Sequence, residues 1–376
     1  MWAGCVESNV SYASVCYSES SDGTNWSTPV IVFSPSNAIG AWDNSKTEIP
    51  TVIKDTTESD TLKRYKMWYG GADSLAPNVV DSIGYAYSHD GINWTRLPAA
   101  QSPFGRAGLV FEPGFTNGDA GVVSDPTALK VGSTYHLWYN SFGSGDSLYI
   151  SHATSLDGVN WIRDVSNPVL SPGEPWENYG TGMISADVSH PSVRWNGSQF
   201  QMWYGSFDST LFVRYDGIGY ATSPDGTNWT KDVNNPVFIP DLTKTGEQIG
   251  ISSGPGVVLA GNIYHLFYCA IDSSATRNIL HATSSPLVGV PEKHESRDFA
   301  IYPNPFSETS HLVFQNPNGI PHSLSMYNMQ GLLVMSMTNI RTNTIEINRN
   351  GLTNGLYFYE LQTNYRVGAK GKVLIK

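Results

Sequence analysis

The chain has 376 residues, of which 40% are hydrophobic and 12% aromatic, with 36 glycines and 22 prolines. This composition predicts a folded, turn-rich β protein and excludes a disordered chain. Residues 1–290 carry 14 basic and 27 acidic side chains, a net charge of −13, which excludes nucleic acid as a partner because an acidic surface repels phosphate. No apolar run is as long as a membrane span.

One short motif, Ser-x-Asp-Gly-x-Asn-Trp, occurs four times. Its tryptophans are 68, 67 and 68 residues apart, and the copies lie at residues 20–26, 88–94, 155–161 and 223–229. A period this regular indicates a repeat architecture. Each copy has the residues of a tight hairpin turn, so we interpret the motif as a marker of the fold and not as a site.

Each repeat has the pattern of four short strands. A strand opened by proline comes first, an aromatic strand such as residues 67–69 comes second, and a third strand such as residues 83–86 leads into the turn. Four antiparallel strands per unit, arranged radially, form a propeller blade. Five aromatic strands therefore predict an all-β fold whose first domain, residues 1–290, is a five-bladed β-propeller.

The first predicted blade is incomplete. Met1 and Trp2 align with the second strand of a repeat, and neither a proline-led first strand nor a signal peptide precedes them. We expect a chain that has lost an N-terminal segment; the alternative is that Met1 is the true start and the blade is completed differently.

The three cysteines leave two interpretations open. Cys5 and Cys16 fall on neighbouring predicted strands, which allows a disulfide between them. The alternative is that Cys5, Cys16 and Cys269 are all small buried hydrophobic residues.

Polar residues precede the prolines that open the innermost strands. Because innermost strands line the axis of a propeller, these residues should converge in space. They include Glu48, Asp125 and His190, which form a candidate acid/base site of two carboxylates and an imidazole. The alternative is that such side chains only bond to loop amides.

Two of the loops that lead into these strands carry a tryptophan next to a carboxylate. Trp42-Asp43 and Trp176-Glu177 are predicted to lie on the funnel side, where an indole can stack on a sugar and a carboxylate can bind its hydroxyls. Asp187 completes this predicted substrate-binding set. The alternative for the tryptophans is that they cover hydrophobic gaps.

The repeated pattern resembles a known superfamily. Trp-Asp, Pro-Thr-Val, Met-Trp-Tyr-Gly-Gly and the extended turn motif are similar to the five-bladed propellers of arabinanases, β-xylosidases, invertases, levansucrases and mannoside phosphorylases, over residues 1 to about 288. The resemblance implies cleavage of glycosidic bonds by an Asp base, an orienting Asp and a Glu acid. Asp125 matches the orienting Asp, and the base would lie in the missing first strand. His190 stands where the acid is expected, so the acid would be one of Glu48, Glu177 and Asp187.

The last part of the chain has a different pattern. A polar linker at residues 291–299 precedes a predicted small Ig-like β-sandwich of seven strands at residues 300–376, which has no tryptophan. Tyr-Pro-Asn-Pro at residues 302–305, Gly-x-Tyr at 355–357 and the terminal Lys-Val-x-Ile-Lys resemble the C-terminal sorting domain of type IX secretion substrates. The resemblance implies recognition by the secretion machinery and a secreted or cell-surface location. The alternative is a carbohydrate-binding sandwich, which would usually keep exposed aromatic residues.

Two functions follow as hypotheses. The first is a glycoside hydrolase that acts on neutral polysaccharides or oligosaccharides through funnel carboxylates, and the second is a non-catalytic propeller that binds glycan or a surface partner. We expect no cofactor, although a structural calcium ion in the funnel would fit the resemblance. If the missing strand held the general base, this chain should be almost inactive.

Overall fold

A computed structural model of the chain describes residues 1–6, 13–73, 81–114, 119, 121–142, 147–177, 186–208, 214–248, 250–260, 262–274, 276–284, 299–314, 316, 319–329, 332–363 and 367–376. The chain forms two compact units, residues 1–285 and residues 286–376. Apart from three short 3₁₀ helices at Thr61–Lys63, Ala99–Gln101 and Pro175–Glu177, the regular structure of the described residues is β.

The first unit consists of antiparallel strand groups that follow one another along the chain and that we number 1 to 5. Group 1 contains β1 (Trp2–Val6), β2 (Ala13–Tyr17) and β3 (Val30–Phe33), and group 2 contains β4 (Lys46–Lys54), β5 (Tyr65–Ala72), β6 (Ser82–Ser88), β7 (Thr95–Arg96) and the short β8 (Leu109–Phe111). Group 3 contains β9 (Val123–Val131), β10 (Thr134–Phe142), β11 (Ser147–Ser155) and β12 (Ile162–Arg163). Group 4 follows with β13 (Ala186–Asp187), β14 (Ser189–Trp195), β15 (Phe200–Asp208), β16 (Arg214–Ser223) and β17 (Thr230–Lys231), and group 5 with β18 (Gly250–Ala260), β19 (Ile263–Ile271) and β20 (Arg277–Thr283).

The groups correspond to the predicted blades. The proline-led strands β4, β9, β14 and β18 contact one another in chain order and form the inner strands. The third strand of a group also pairs with the segment that starts the next inner strand, as in Ala13↔Lys46, Leu148↔Asp187 and Tyr215↔Ile251. This is the predicted propeller arrangement; the number of blades in the ring stays a prediction.

Aromatic second strands build the core between neighbouring groups. Trp68, Trp138 and Tyr139 are fully buried, and Trp68 packs in one cluster with Tyr135 and Leu137 of the next group. Each such cluster therefore belongs to an interface between two groups, so that burial of apolar surface holds the ring together.

The turn motif closes on itself through hydrogen bonds. In the copy at residues 88–94, Asp90 Oδ1 accepts from the amides of Ile92 and Asn93 at 2.9 and 2.8 Å, Asn93 Nδ2 donates to Asp90 Oδ2 at 2.7 Å, and the amide of Gly91 donates to Ser88 Oγ at 3.0 Å. The other three copies make the same bonds. These contacts do not use the glycine carbonyl, which can therefore accept hydrogen bonds from a neighbouring group.

That carbonyl accepts an indole N–H from the preceding group. Trp2 donates to the carbonyl of Gly91 at 2.8 Å, Trp68 to that of Gly158 at 2.8 Å, and Trp138 to that of Gly226 at 2.9 Å. We call this contact the indole clasp. It gives the motif the structural role that the sequence predicted, since three of the four copies tie their own group to the one before.

The cysteines of group 1 are bridged. Cys5 and Cys16 form a disulfide between β1 and β2, with their Cα atoms 5.8 Å apart, and Cys269 lies outside this bridge. This settles the alternative that the sequence left open. Within the described ranges, no helix is long and apolar enough to span a membrane.

The second unit is a sandwich of two sheets. One sheet has the order β21 (Phe299–Tyr302), β22 (Thr309–Phe314) and β25 (Thr344–Asn348), and the other has the order β24 (Leu333–Ile340), β23 (His322–Tyr327), β26 (Gly355–Thr363) and β27 (Val367–Ile375). Both sheets supply side chains to one core, which includes Leu312, Leu324 and Tyr359. The segment after β21 is tied to the terminal strand, because Asn304 Oδ1 accepts from the amide of Leu374 at 2.9 Å. The predicted β-sandwich is confirmed.

The indole clasp can be tested with Trp138→Phe. The phenyl ring keeps an aromatic side chain but loses the N–H and part of the buried surface, so we expect the free energy of unfolding to fall by about 2 to 4 kcal/mol. The control is Trp203→Phe, at the same repeat position, because the indole of Trp203 has no acceptor among the described residues. Urea unfolding followed by circular dichroism measures both; equal losses would contradict a role for the hydrogen bond.

Candidate functional site

The starts of the inner strands share an unusual backbone. Ile49, Asp125 and His190 each precede a proline and have φ angles of 46°, 51° and 51°. Strand pairing shifts register beside each of them. A left-handed residue other than glycine costs on the order of 1 to 3 kcal/mol and persists only where its surroundings fix it, often at functional sites. The same local geometry in three neighbouring strands turns these residues toward one mouth of the ring.

Asp125 and His190 are in contact. His190 Nε2 lies 3.3 Å from Asp125 Oδ2, and Asp125 is only 9% exposed. Asn140, from the neighbouring strand β10, joins them, since its Nδ2 donates to Asp125 Oδ2 and its Oδ1 accepts from the backbone amide of His190 at 2.8 Å. Two of the three predicted catalytic residues are therefore in contact, and Asn140 is hydrogen-bonded to both.

Glu48 lies on the same side of the ring, in a charged cluster from group 2. Lys46 Nζ is 2.8 Å from Glu48 Oε1 and 2.9 Å from Asp81 Oδ1. Burial alone would lower the pKa of Lys46, but the carboxylates of Asp81 and Glu48 outweigh it and raise that pKa above its ordinary value. The cluster is close enough to act on Asp125: burial raises the pKa of Asp125, His190 opposes the rise, and Glu48 adds to it.

Asn140 was missed by the sequence reasoning. It is 2% exposed and stands where the other groups have Gly70, Gly205 and Cys269. An amide at a position that the repeat fills with small residues is a departure from the fold pattern. Aligning the second strands for such departures would have found it.

The structure corrects the predicted roles of Trp42 and Asp43. Trp42 is 4% exposed, stacks on Tyr69 and donates its indole N–H to the carbonyl of Ala107 at 2.9 Å. Asp43 is fully buried, and its Oδ2 accepts from Tyr69 at 3.0 Å and from Arg96 Nε at 2.8 Å. Neither side chain reaches the surface, so neither contacts a sugar in this conformation. The alternative reading of Trp42 as a cover over a hydrophobic gap describes its position.

Glu177 and Trp176 have the same arrangement in group 4. Glu177 is fully buried, accepts from Tyr204 at 2.8 Å and from the amide of Gly173 at 2.8 Å, and forms an ion pair with Lys231. Trp176 packs against the core and stacks on Tyr204. Burial and the charge of Glu177 raise the pKa of Tyr204. The predicted substrate-binding role of Glu177 is therefore also corrected to a structural one.

This acid, tyrosine and base arrangement repeats around the ring. Asp119 pairs with Arg163 at 2.6 Å in group 3, and Tyr268 donates to Glu247 at 2.8 Å in group 5. In groups 2, 3 and 4 the base lies two residues after the tryptophan of the turn motif, at Arg96, Arg163 and Lys231. That spacing was the sequence signal for a structural network.

Asp187 is the last member of the predicted substrate-binding set. It is fully buried in β13, and its Oδ2 accepts from Ser189 Oγ at 3.3 Å. It lies behind His190 and not at the surface. Over the ranges that the structure describes, no group of three or more His, Cys, Asp or Glu side chains is arranged to hold a metal ion.

Comparisons with known proteins identify the C-terminal domain. The family described as the secretion system C-terminal sorting domain matches residues 300–376. This domain directs type IX secretion, so the chain is secreted or displayed at the cell surface.

Curated relatives match the propeller. An uncharacterized protein of Mycobacterium tuberculosis (strain CDC 1551 / Oshkosh) is 24% identical over 295 residues, which cover 75% of this chain and 86% of the relative. A 1,2-beta-oligomannan phosphorylase of Thermoanaerobacter sp. (strain X514) is 26% identical over 204 residues, which cover 53% of this chain and 56% of that protein.

Solved structures share the fold. A glycoside hydrolase superposes with a TM-score of 0.57 at 18% identity, covering 74% of this chain and 81% of that chain. A thermostable family-43 glycoside hydrolase gives 0.52 at 19% identity, covering 74% and 84%. A β-1,2-mannobiose phosphorylase from Listeria innocua gives 0.50 at 17% identity, covering 73% and 67%. These likenesses show the propeller fold.

The buried ion pair can be tested with Glu177→Gln. The change leaves the Lys231 ammonium, which is 15% exposed, without its carboxylate partner, and we expect the free energy of unfolding to fall by about 3 to 5 kcal/mol. The control is Asp241→Asn, which breaks an exposed pair with Lys244 and should lower the free energy of unfolding far less, because solvent screens an exposed ion pair. Thermal and urea unfolding measure both. A loss in Glu177→Gln no larger than in the control would restore a surface role for Glu177.

The environment of Asp125 predicts a pH dependence. Because burial raises its pKa above the ordinary 3.8, the native state holds the proton more tightly than the unfolded chain does. Its contribution therefore favours folding below pH 3.8 and is lost as the pH rises through the native pKa. Asp125→Asn cannot ionise, so its stability relative to the wild type should increase across that window. Urea unfolding at several pH values between about 4 and 8 checks this, and a constant difference would refute it.

Proposed function

We propose that the propeller domain is an exported glycosidase that cleaves glycosidic bonds of a neutral polysaccharide or oligosaccharide by acid/base catalysis at the mouth formed by Asp125, His190 and Glu48. The observation that carries the proposal is Asp125 itself. It is a buried carboxyl group with a raised pKa, on a strained backbone, in contact with an imidazole and near a second carboxylate. The propeller fold of glycosidases supports the proposal.

Asp125 acts as the general acid. A group that must deliver a proton at neutral pH needs a pKa near the working pH, and burial shifts a carboxyl group in that direction. Its proton passes to the glycosidic oxygen, and the bond between this oxygen and the anomeric carbon breaks with its electron pair on the oxygen. Water adds to the anomeric carbon and gives up a proton, which Glu48 accepts as general base.

The charges of the mouth favour a neutral substrate and water as the nucleophile. The described lysine of the mouth, Lys46, is already engaged with Glu48 and Asp81. A phosphate ion would need cations that are not shared with carboxylates. Phosphorolysis, the reaction named for the oligomannan phosphorylase relative, is therefore the second candidate reaction.

The binding-only alternative has less support from the side chains on which it depends. It requires Trp42 and Trp176 as stacking platforms, but Trp42 is buried and Trp176 is partly buried against the core of group 4. The described side chains of the mouth, Asp125, His190 and Glu48, are titratable groups, and such groups suit proton transfer.

Activity screening tests the proposal. The intact chain is assayed on aryl glycosides, on β-mannosides and on neutral plant and algal oligosaccharides, each with and without inorganic phosphate. We expect hydrolysis of one class, and Asp125→Asn should lower kcat/KM by about 10² to 10⁴-fold because general acid catalysis contributes that much.

The control for this experiment is Asp241→Asn, which changes an exposed carboxylate outside the mouth and should keep full activity. Turnover only in the presence of phosphate would select the phosphorylase reaction. Glycan binding without turnover, or turnover that Asp125→Asn does not change, would overturn the assignment.

A further inference from the structure

A chain of hydrogen bonds runs from the mouth into the protein behind His190. The Nε2 side of the ring faces Asp125 at 3.3 Å, and Nδ1 lies 3.1 Å from Ser189 Oγ. Ser189 Oγ donates in turn to Asp187 Oδ2 at 3.3 Å. Ser189 and Asp187 are both fully buried, so the inner end of this chain lies away from solvent.

We propose that Asp187 and Ser189 are positioning residues which fix the tautomer of His190, so that its Nε2 atom presents a lone pair to Asp125 and retains the catalytic proton between the two groups. The inference rests on the proposed function for its catalytic meaning, but the tautomer itself can be measured without any reaction.

The direction of the hydrogen bonds follows from what each group can do. An ionised carboxylate only accepts, so the hydroxyl hydrogen of Ser189 points to Asp187. The Ser189 oxygen is then an acceptor for His190 Nδ1–H, and in a neutral imidazole the other nitrogen is an acceptor as well. A lone pair on Nε2 matches a protonated Asp125 and would repel an ionised one. One proton therefore lies between the two groups.

That proton is the one that the reaction uses. When Asp125 gives this proton to the glycosidic oxygen, the O–H bond of Asp125 breaks as a new O–H bond forms on the leaving oxygen. The water that adds to the sugar supplies a hydroxyl to the anomeric carbon and a proton to Glu48. Glu48 then releases this proton to solvent and the Asp125–His190 pair takes one up, so the cycle consumes one water and leaves the protein unchanged.

The repeat indicates that the fold itself does not require these residues. The position of Asp187, four residues before the strand-opening proline, is occupied by Lys46 in group 2, Val122 in group 3 and Ile251 in group 5. Serine recurs at Ser124 and Ser253, but only Ser189 is followed by histidine. The combination is specific to group 4, next to the proposed acid.

Neighbouring elements hold the imidazole in place. Asn140 accepts from the backbone amide of His190 at 2.8 Å, and a Cβ atom at Gly254 would come within 2.0 Å of His190 Cβ. Asp125 faces the ring from β9, and Lys46, Glu48 and Asp81 face Asp125 from group 2. All of these charges stay in place in the variants below, so a difference among the variants reports on Asp187 and Ser189.

The first test reads the tautomer directly. Nitrogen-15 NMR of histidine-labelled protein, with His190→Gln to assign the signal, should show hydrogen on Nδ1 in the wild type. Ser189→Ala should release this preference. Asp187→Asn should reverse it, because an amide can donate to Ser189 and turn the hydroxyl hydrogen toward His190 Nδ1. Hydrogen on Nε2 in the wild type, or no change in Ser189→Ala, would overturn the proposal.

The second test uses the reaction. Ser189→Ala should lower kcat/KM by at least about 10-fold and move the alkaline limb of its pH profile to lower pH, with KM unchanged, because the pair then loses its proton more readily. Ser189→Thr, which keeps the hydroxyl, should restore most of the loss. The control is Ser253→Ala, the matching position of group 5, which should keep the wild-type profile.

The outcomes of the two tests are independent, so that failure of one hypothesis can be told from failure of the other. If no substrate is turned over, the proposed function fails, while the NMR result still decides the tautomer. If turnover is found but Ser189→Ala and Ser253→Ala behave alike, the positioning role fails and the assignment of Asp125 stands.

Discussion

The hydrogen bond from a tryptophan indole to the glycine carbonyl of the next turn is the contact on which the first domain depends. A propeller group cannot bury its aromatic strand alone, and the clasp fixes groups 1 to 4 against one another, with one defined contact at each interface. Gly91 and Gly226 each accept a second indole N–H, from Trp94 and Trp229 of their own turns at 3.0 and 2.9 Å. If such a turn moved away, two indole N–H groups would lose their acceptor. Each would then be removed from water without a compensating hydrogen bond, which is costly.

The clasp and the buried acid networks act at different places on the same groups. The clasp holds the turn end of each second strand, whereas Asp43, Glu177 and Glu247 anchor the loops that lead into the inner strands. Between these anchors the inner strands have little freedom. The left-handed residues at the mouth are therefore sustained by the surrounding packing, and Asp125 and His190 meet without a flexible loop between them. Rigid placement of this kind lowers the reorganisation that a proton transfer requires.

Much of the fold could be predicted from the sequence because it is periodic. The turn motif, the proline-led strands and the sorting domain were all visible, and the phase of the repeat was enough to bring Asp125 and His190 together. Burial of the loop residues could not be predicted in the same way. Whether Asp43 or Glu177 reaches solvent depends on Arg96 and Lys231, which lie 53 and 54 residues further along the chain. The local sequence around Trp-Asp is the same whether the carboxylate binds a sugar or forms a buried salt bridge that anchors a loop. The Cys5–Cys16 bridge was left open because spacing alone does not fix the register of two strands.

The ring is not uniform, and group 5 shows where it differs. Phe267 occupies the place that tryptophan holds in the other groups, and a phenyl ring has no N–H to donate. Here the contact to the first turn consists of an edge-to-face approach of Trp26 and Phe267, with ring centroids 5.6 Å apart, and of the paired imidazoles of His265 and His281 beside Gly23. Group 5 also lacks the clasp on its other side, because the indole of Trp203 in group 4 has no acceptor among the described residues. The ring therefore has a preferred place to open, at the seam around group 5. Amide hydrogens next to that seam would exchange with solvent before those of the clasped interfaces, and local opening would begin with β19, β20 and the first turn. The position at which the repeat pattern is broken thus also determines where local unfolding of the ring begins.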